Sequence, residues 1–431
     1  MLKYLLCLLL LFSMCFCYFP FNYDSITVKY TQDYNLAIEK NLGQLDWIEA
    51  KLLRPGEAIS VEESVIFNGA KMNPLTETDS YGNLWSVYKF ENIRAGNIAL
   101  KREYTLSGSN EKDFIDKNYL DSNYVVLNKD INELAEELYS VDDLEFLINV
   151  SSWIKKNLSY DYSKLVDLYY NVNNSVQTFN SKKGVCVDYS ILASAILKAE
   201  GIKSRFVAGI VYDGESWGSH AWLEAYLTGY GWVSIDPTYN QVYVLDLTHI
   251  KIGTFSDYSE MHDSISANFS LENVEIKKGN ALNLDVAIIS ENKKEKTYVL
   301  DYPQKIYSGT DFNFCIDSNE LILPIEFYNS LEPKEFVGVL YKNKCLEIQV
   351  PDYNGPVYAP FVLQLPGQKI EGSFYIEPQD QDKNSFLVQE KTEPETNKED
   401  STISISLVVL LGLVVVFALL LAKRYFFKPS L

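Results

Sequence analysis

Apolar and polar residues alternate in short runs between residues 24 and 120: SITVKYT, LDWIEAKLL, SVEESVIF, LWSVYKFENI and IALKREYTL. A period of two puts successive side chains on opposite faces of a strand, and RPGE and DSYGN supply turns between runs. The pattern predicts an N-terminal β domain over 24–120. Between 129 and 160 the period changes. INELAEEL and LEFLINVSSWIKKNL space their apolar residues by three and four, which predicts two helices, the second opening on Asp142 and Asp143. A further amphipathic helix is predicted from about Val187 to Glu200, stopped by Gly201. Period two returns in SRFVAGIVY, SHAWLEAYL and GWVSIDPT, completing a core domain over 121–260. From Ser266 the runs ALNLDVAII, KTYVLDY, FVGVLYK, CLEIQV, YAPFVLQL and EGSFYIEP predict a β-sandwich over 266–377.

The two ends have other patterns. MLKYLLCLLLLFSMCFC (1–17) has a positive start, a short apolar run and small residues at its end. It reads as a secretory signal peptide cut after Cys17, or as an uncleaved N-terminal anchor. Residues 378–401 are polar and mostly acidic, as in a disordered stalk. The run 403–422 is uncharged and long enough to cross a bilayer, and Lys423, Arg424 and Lys428 follow it. The positive-inside bias assigns 423–431 to the cytoplasm and the domains to the outside of the cell membrane, single-pass.

Charge narrows the partners. With 38 Lys+Arg against 58 Asp+Glu, the formal net charge is −20, which argues against nucleic acid and anionic lipid surfaces. Of the six cysteines, three fall in the leader. Cys315 and Cys345 either form a disulfide closing a loop of about 30 residues or remain two buried thiols. That leaves Cys186 without a partner, at the start of the predicted helix in GVCVDYSILASAILKAEGIKSRFVAGI.

His220 and Asp236 follow Cys186 on consecutive predicted strands. A hairpin centred on Thr228 sets His220 directly opposite Asp236, with Cβ atoms about 5 Å apart. An imidazolium and a helix N-terminus both stabilise a thiolate. Asp236 then orients His220, Cys186 attacks an amide carbonyl, and the Cys186 N–H is a candidate oxyanion donor. Gln177 is the side-chain candidate for that role, and Trp217 the candidate lining of a substrate groove. His249 and His262 fall on no predicted strand facing the helix, and the absence of CxxC or HxxxH spacing gives no reason to expect a metal. Asn149, Asn157, Asn173 and Asn268 stand in N-x-S sequons that outside a membrane accept glycans.

These segments, with GSHAWLEAYLTGYGWVSIDPTYN, resemble the transglutaminase-like superfamily of microbial exported proteins over about residues 120–255. The resemblance implies a papain-like core in an α+β chain, with a Cys186–His220–Asp236 triad, no cofactor, and a protein or cell-wall peptide as substrate. It implies acyl transfer on amides, by hydrolysis or transamidation. The flanking β domains leave a second possibility, a surface interaction module built on an inactive core.

Overall fold

The computed structural model describes residues 23–379, except 42–44, 68–69, 92–95, 111–112, 117–118, 120, 167–170, 270–273, 279–282, 294–297, 332–335 and 343. The expected leader (1–17), span (403–422), cytoplasmic tail (423–431) and nearly all of the stalk lie outside the described residues. Among the described residues no helix is long and apolar enough to cross a membrane. The architecture is mostly β with few helices.

Two antiparallel sheets make the N-terminal domain. In one, Leu45–Arg54 pairs with Leu84–Glu91, and Ile48, Ala50 and Leu52 alternate inward against Tyr88, Phe90, Val65 and Leu100. In the other, the 19-residue strand Tyr23–Asn41 pairs along one edge with Gly96–Ser107. Its other edge takes Val274–Lys278 and Asn283–Lys293. Ser264–Phe269 likewise joins Leu45–Arg54. The stretch 264–293 was expected to lie largely in the C-terminal sandwich, and instead it completes the N-terminal sheets. A strand that long exposes a row of unpaired N–H and C=O groups, and a later segment covers it.

The core domain centres on one helix. Its helices are α1 (Lys129–Leu138), α2 (Asp143–Asn157), α3 (Tyr162–Val166), α4 (Ser175–Ser181) and α5 (Cys186–Ala199). Asp142 caps α2 through the Leu144 and Glu145 N–H groups. Every residue of α5 from Cys186 to Leu197 is buried, so the helix is not amphipathic as expected. Helices α1, α2 and α4 surround it on one side, and the central sheet backs it on the other. The polar residues of α5 have partners: Ser194 meets Ser204 at 2.7 Å, and Ser190 reaches the Ala221 carbonyl. Gly201, at φ +77°, ends the helix, with its own N–H on Lys198 O and the Ile202 N–H on Leu197 O.

The central sheet contains β1 (Ser204–Tyr212), β2 (Trp217–Leu227), β3 (Gly231–Asp236), β4 (Gln241–Tyr243) and β5 (Ile250–Phe255), ordered β4-β3-β2-β1-β5 and antiparallel throughout. Ala221, Leu223, Ala225, Val233 and Ile235 pack in the helical core. On the opposite face Ile210 and Ile250 pack on Ile26, Val28, Tyr104 and Leu106 of the N-terminal domain. A sheet covered on both faces reads as near-continuous burial, which is the pattern of β2.

The C-terminal sandwich spans Val299–Glu377 in two sheets around Phe314, Phe327, Phe361 and Phe374. Cys315 and Cys345 oppose each other across antiparallel strands and are joined as a disulfide. Tyr341 and Lys342 of this domain bond to Asp142, the cap of α2, so the sandwich docks on the core.

Candidate active site

The loop before α5 is shaped by Asp188. This fully buried carboxylate accepts the Val185 N–H on one oxygen and the Asn173 N–H on the other, each at 2.9 Å. The Lys164 ammonium lies 2.9 Å from it. Val185 has no side-chain acceptor of its own, so Asp188, three residues on, reaches back and caps the helix start. A Cβ on Gly184 would fall 2.5 Å from the Asp188 Cβ. Glycine is therefore required there by the cap. Cys186 follows as the first residue of the helix, a free thiol only 8% exposed.

The β2–β3 hairpin turns at Gly229, not Thr228. Leu227 pairs with Gly231, and Leu223 with Ile235. Gly229 and Gly231 both adopt positive φ, +86° and +74°, which fixes the three-residue loop two positions out of the expected register. His220 therefore does not lie directly opposite Asp236. A shift of two keeps side chains on the same face, and His220 reaches diagonally: its Nε2 is 2.6 Å from Asp236 Oδ2. Asp236 Oδ1 accepts the Thr238 N–H at 2.8 Å. With Nε2 committed to the carboxylate, Nδ1 is the nitrogen left for the Cys186 thiol, which hydrogen-bonds His220 and the Ala221 N–H. The structure thus brings Cys186, His220 and Asp236 into one hydrogen-bonded row.

The electrostatics favour a charge-separated row. Burial pushes the Cys186 thiol up, but the hydrogen bond and charge of His220 outweigh it and hold the thiol below its ordinary value. Burial pulls His220 down, and the Asp236 carboxylate overrides it, raising the imidazole to about 10. Asp236, buried yet facing only donors, is held well below the usual carboxylate range, against burial, by His220 and His249.

Two neighbours escaped sequence reasoning. Tyr160 precedes Cys186 by two helices, α3 and α4, but Ser159–Tyr160 pairs in parallel with Lys183–Gly184. That pairing sets the Tyr160 hydroxyl against both the backbone N–H and the thiol of Cys186, and burial with the Cys186 charge raises the phenol far above its ordinary value. His249 comes from the turn before β5. Its Nε2 lies 3.0 Å from the same Asp236 Oδ2 that His220 uses. Trp222 and Tyr239 wall the pair of imidazoles. His220, Asp236 and His249 offer ligand atoms within 4.8 Å of one another. Both Nε2 atoms meet one oxygen at hydrogen-bond distance, and the cluster is read here as hydrogen-bonded rather than metal-ligating. A tyrosine upstream of the cysteine and a histidine shortly after the Asp-Pro-Thr turn were the only sequence signals for these two.

Other expected residues lie elsewhere. Gln177 is the third residue of α4, and its carboxamide oxygen accepts the Asn174 N–H in a capping box, so it serves the helix and not Cys186. Trp217 is half-buried against Tyr212 and the N-terminal core. Asn149 and Asn157 lie on α2, each side chain donating to a backbone carbonyl. Asn173 is half-buried beside Asp188, and Asn268 lies in Ser264–Phe269.

Residues 132–237 match the model of the transglutaminase-like superfamily. The chain is 25% identical over 254 residues to a UPF0252 protein of Methanocaldococcus jannaschii, covering 54% of this chain and 66% of that one. It is 34% identical over 73 residues to the protein-glutamine gamma-glutamyltransferase of Pseudomonas aeruginosa, covering 14% and 11%. The chain thus spans just under two thirds of the first relative and about a tenth of the second. Among solved structures it is similar to a candidate cysteine protease from Cytophaga hutchinsonii, with TM-score 0.44 and 16% identity, over 64% of this chain and 95% of that one.

Proposed function

We propose that the transglutaminase-like domain carried at residues 132–237 makes this chain a cysteine-dependent acyl-transfer enzyme of the cell surface. The observation that carries the reading is the row Cys186–His220–Asp236, with a lowered thiol and a raised imidazole at a helix start. The Cys186 thiolate attacks an amide carbonyl. The Cys186 N–H, with the Tyr160 hydroxyl beside it, stabilises the oxyanion. The His220 imidazolium gives its Nδ1 proton to the leaving amine, and a thioester remains. Water or an amine then adds to the thioester. Its proton passes to His220, the C–S bond breaks, and the acid or new amide leaves. The transferase named among the relatives supports acyl transfer, although it shares only a short segment.

The run 403–422 followed by Lys423 and Arg424 supports a single-pass anchor that holds the domains outside the membrane. There the substrate is a surface protein or cell-wall peptide. The test is Cys186→Ala in a peptide-hydrolysis and amine-incorporation assay with acyl-enzyme detection by mass spectrometry. Loss of both activities and of the adduct, with unchanged unfolding, is expected. Retained activity refutes the proposal. One observation favours a second reading, a binding scaffold: the thiol is only 8% exposed.

A further inference from the structure

We propose that His249 is a positioning residue, an imidazolium held between Asp236 and Asp246 that fixes Asp236 and takes part of its charge away from His220. The inference rests on the acyl-transfer reading above.

His249 is 4% exposed. It is delivered by the turn Asp246–His249, in which the His249 N–H donates to Asp246 O and Asp246 Oδ1 accepts the Thr248 N–H at 3.0 Å. On one side its Nε2 meets Asp236 Oδ2 at 3.0 Å, while His220 meets that oxygen at 2.6 Å. On the other, Nδ1 lies 3.4 Å from Asp246 Oδ1, within ion-pair distance but not aligned as a hydrogen bond. Asp246 is surrounded by donors, Gln241 Nε2 at 2.7 Å and the Thr248 N–H and hydroxyl, a set that only an ionised carboxylate satisfies fully. An imidazole between two buried anions gains by binding a second proton. Burial opposes this, and the Asp246 charge with the Asp236 bond overrides it, raising His249 to about 9. The other groups facing it are the rings of His220, Trp222 and Tyr239. Glu57, Glu224 and Lys251 line the cavity of about 70 Å³ that it borders.

The consequence falls on His220. A carboxylate serving one imidazole would hold its proton too tightly for a group that must release it to the leaving amine. A second cation on the same oxygen lowers that hold. Replacing His249 by Gln keeps a donor and removes the charge. His220 is then expected to titrate about one pH unit higher, with acylation, the step in which it releases its proton to the leaving amine, slowed about tenfold. A residue that merely props Asp236 would do the opposite, since a loosened carboxylate lets His220 titrate lower.

The experiment is an imidazole ¹⁵N NMR titration of His220 in wild type and His249→Gln, alongside single-turnover acylation and deacylation. A His220 that titrates about one pH unit above its wild-type midpoint in the variant supports the inference. An unchanged or lower titration overturns it. Should the variant not fold, the wild-type spectrum decides: two protonated nitrogens on His249 at pH 7 support the inference, and one overturns it. The enzyme reading is tested separately by the wild-type Cys186 alkylation profile. A low-pH plateau there with no shift in His220 overturns this inference alone, and the lack of a plateau overturns both.

Discussion

Replacing Asp188 by Ala tests whether the helix start is built as described. The carboxylate is completely buried and accepts the Val185 and Asn173 N–H groups, each at 2.9 Å, with Lys164 beside it. Each N–H left without a partner in a buried site costs roughly 1–3 kcal/mol. Loss of a cap interaction alone costs about 1 kcal/mol. Lys164 is partly exposed and returns to water, so its contribution is small. The expected loss is therefore about 3–4 kcal/mol, measured as the shift in urea midpoint at constant slope. Asp188→Asn keeps one acceptor and loses roughly half as much. Gly184→Ala attacks the same contact from the other side, because its Cβ would sit 2.5 Å from the Asp188 Cβ; overpacking of that kind costs about 1–3 kcal/mol. All three displace Cys186, two residues from each substitution, so alkylation at neutral pH falls with stability. A loss below about 1 kcal/mol in the Ala variant would refute the reasoning, because the two N–H groups would then have found other partners.

Two further predictions concern Tyr160 and the disulfide. Tyr160→Phe removes the hydroxyl beside the Cys186 N–H; turnover is expected to fall about 10²-fold with little change in KM, and unchanged or faster turnover would show that the hydroxyl only shields the thiol. Replacing Cys315 and Cys345 by Ala opens a loop closed over a sequence separation of 30 residues. This is expected to cost the C-terminal sandwich about 3–4 kcal/mol in calorimetry while leaving Cys186 alkylation unchanged; an altered alkylation rate would contradict the independence of the two sites.

Local chemistry was legible in the sequence. The acidic start of α2 at Asp142 and Asp143, the stop at Gly201 and the placement of Cys186 at a helix start follow from residue types within one turn of each feature. So does the shared face of His220 and Asp236, because alternation survives a shift of two. The hairpin centre did not follow, since LTGYG offers two glycines and only the fold shows that both take positive φ. Non-local pairings were invisible. Nothing in SYDYS says that Tyr160 will pair with Gly184. Nothing in ALNLDVAII says that it will cover an N-terminal strand rather than join the sandwich nearer in sequence. His249 was set aside because it falls on no strand. A turn closed by Asp246 delivers it, and its value lies in two carboxylates brought together by the fold. Gln177 was misread because a glutamine three residues after an Asn signals a cap as readily as an oxyanion donor.

The central claim is that Cys186 is a thiolate paired with the His220 imidazolium. The measurement that tests it most directly is the pH dependence of iodoacetamide alkylation of Cys186 in the folded protein, with His220→Asn beside it. His220, raised to about 10, keeps its proton across the neutral range and loses it only as pH rises through that value. The stability it brings is complete below the unfolded value of about 6.5 and disappears on the same alkaline rise. The account predicts an alkylation rate that stays high well below pH 7 in the wild type, and loss of that plateau in His220→Asn. A rate that rises only near pH 8.5, or labelling that waits for unfolding, would contradict it.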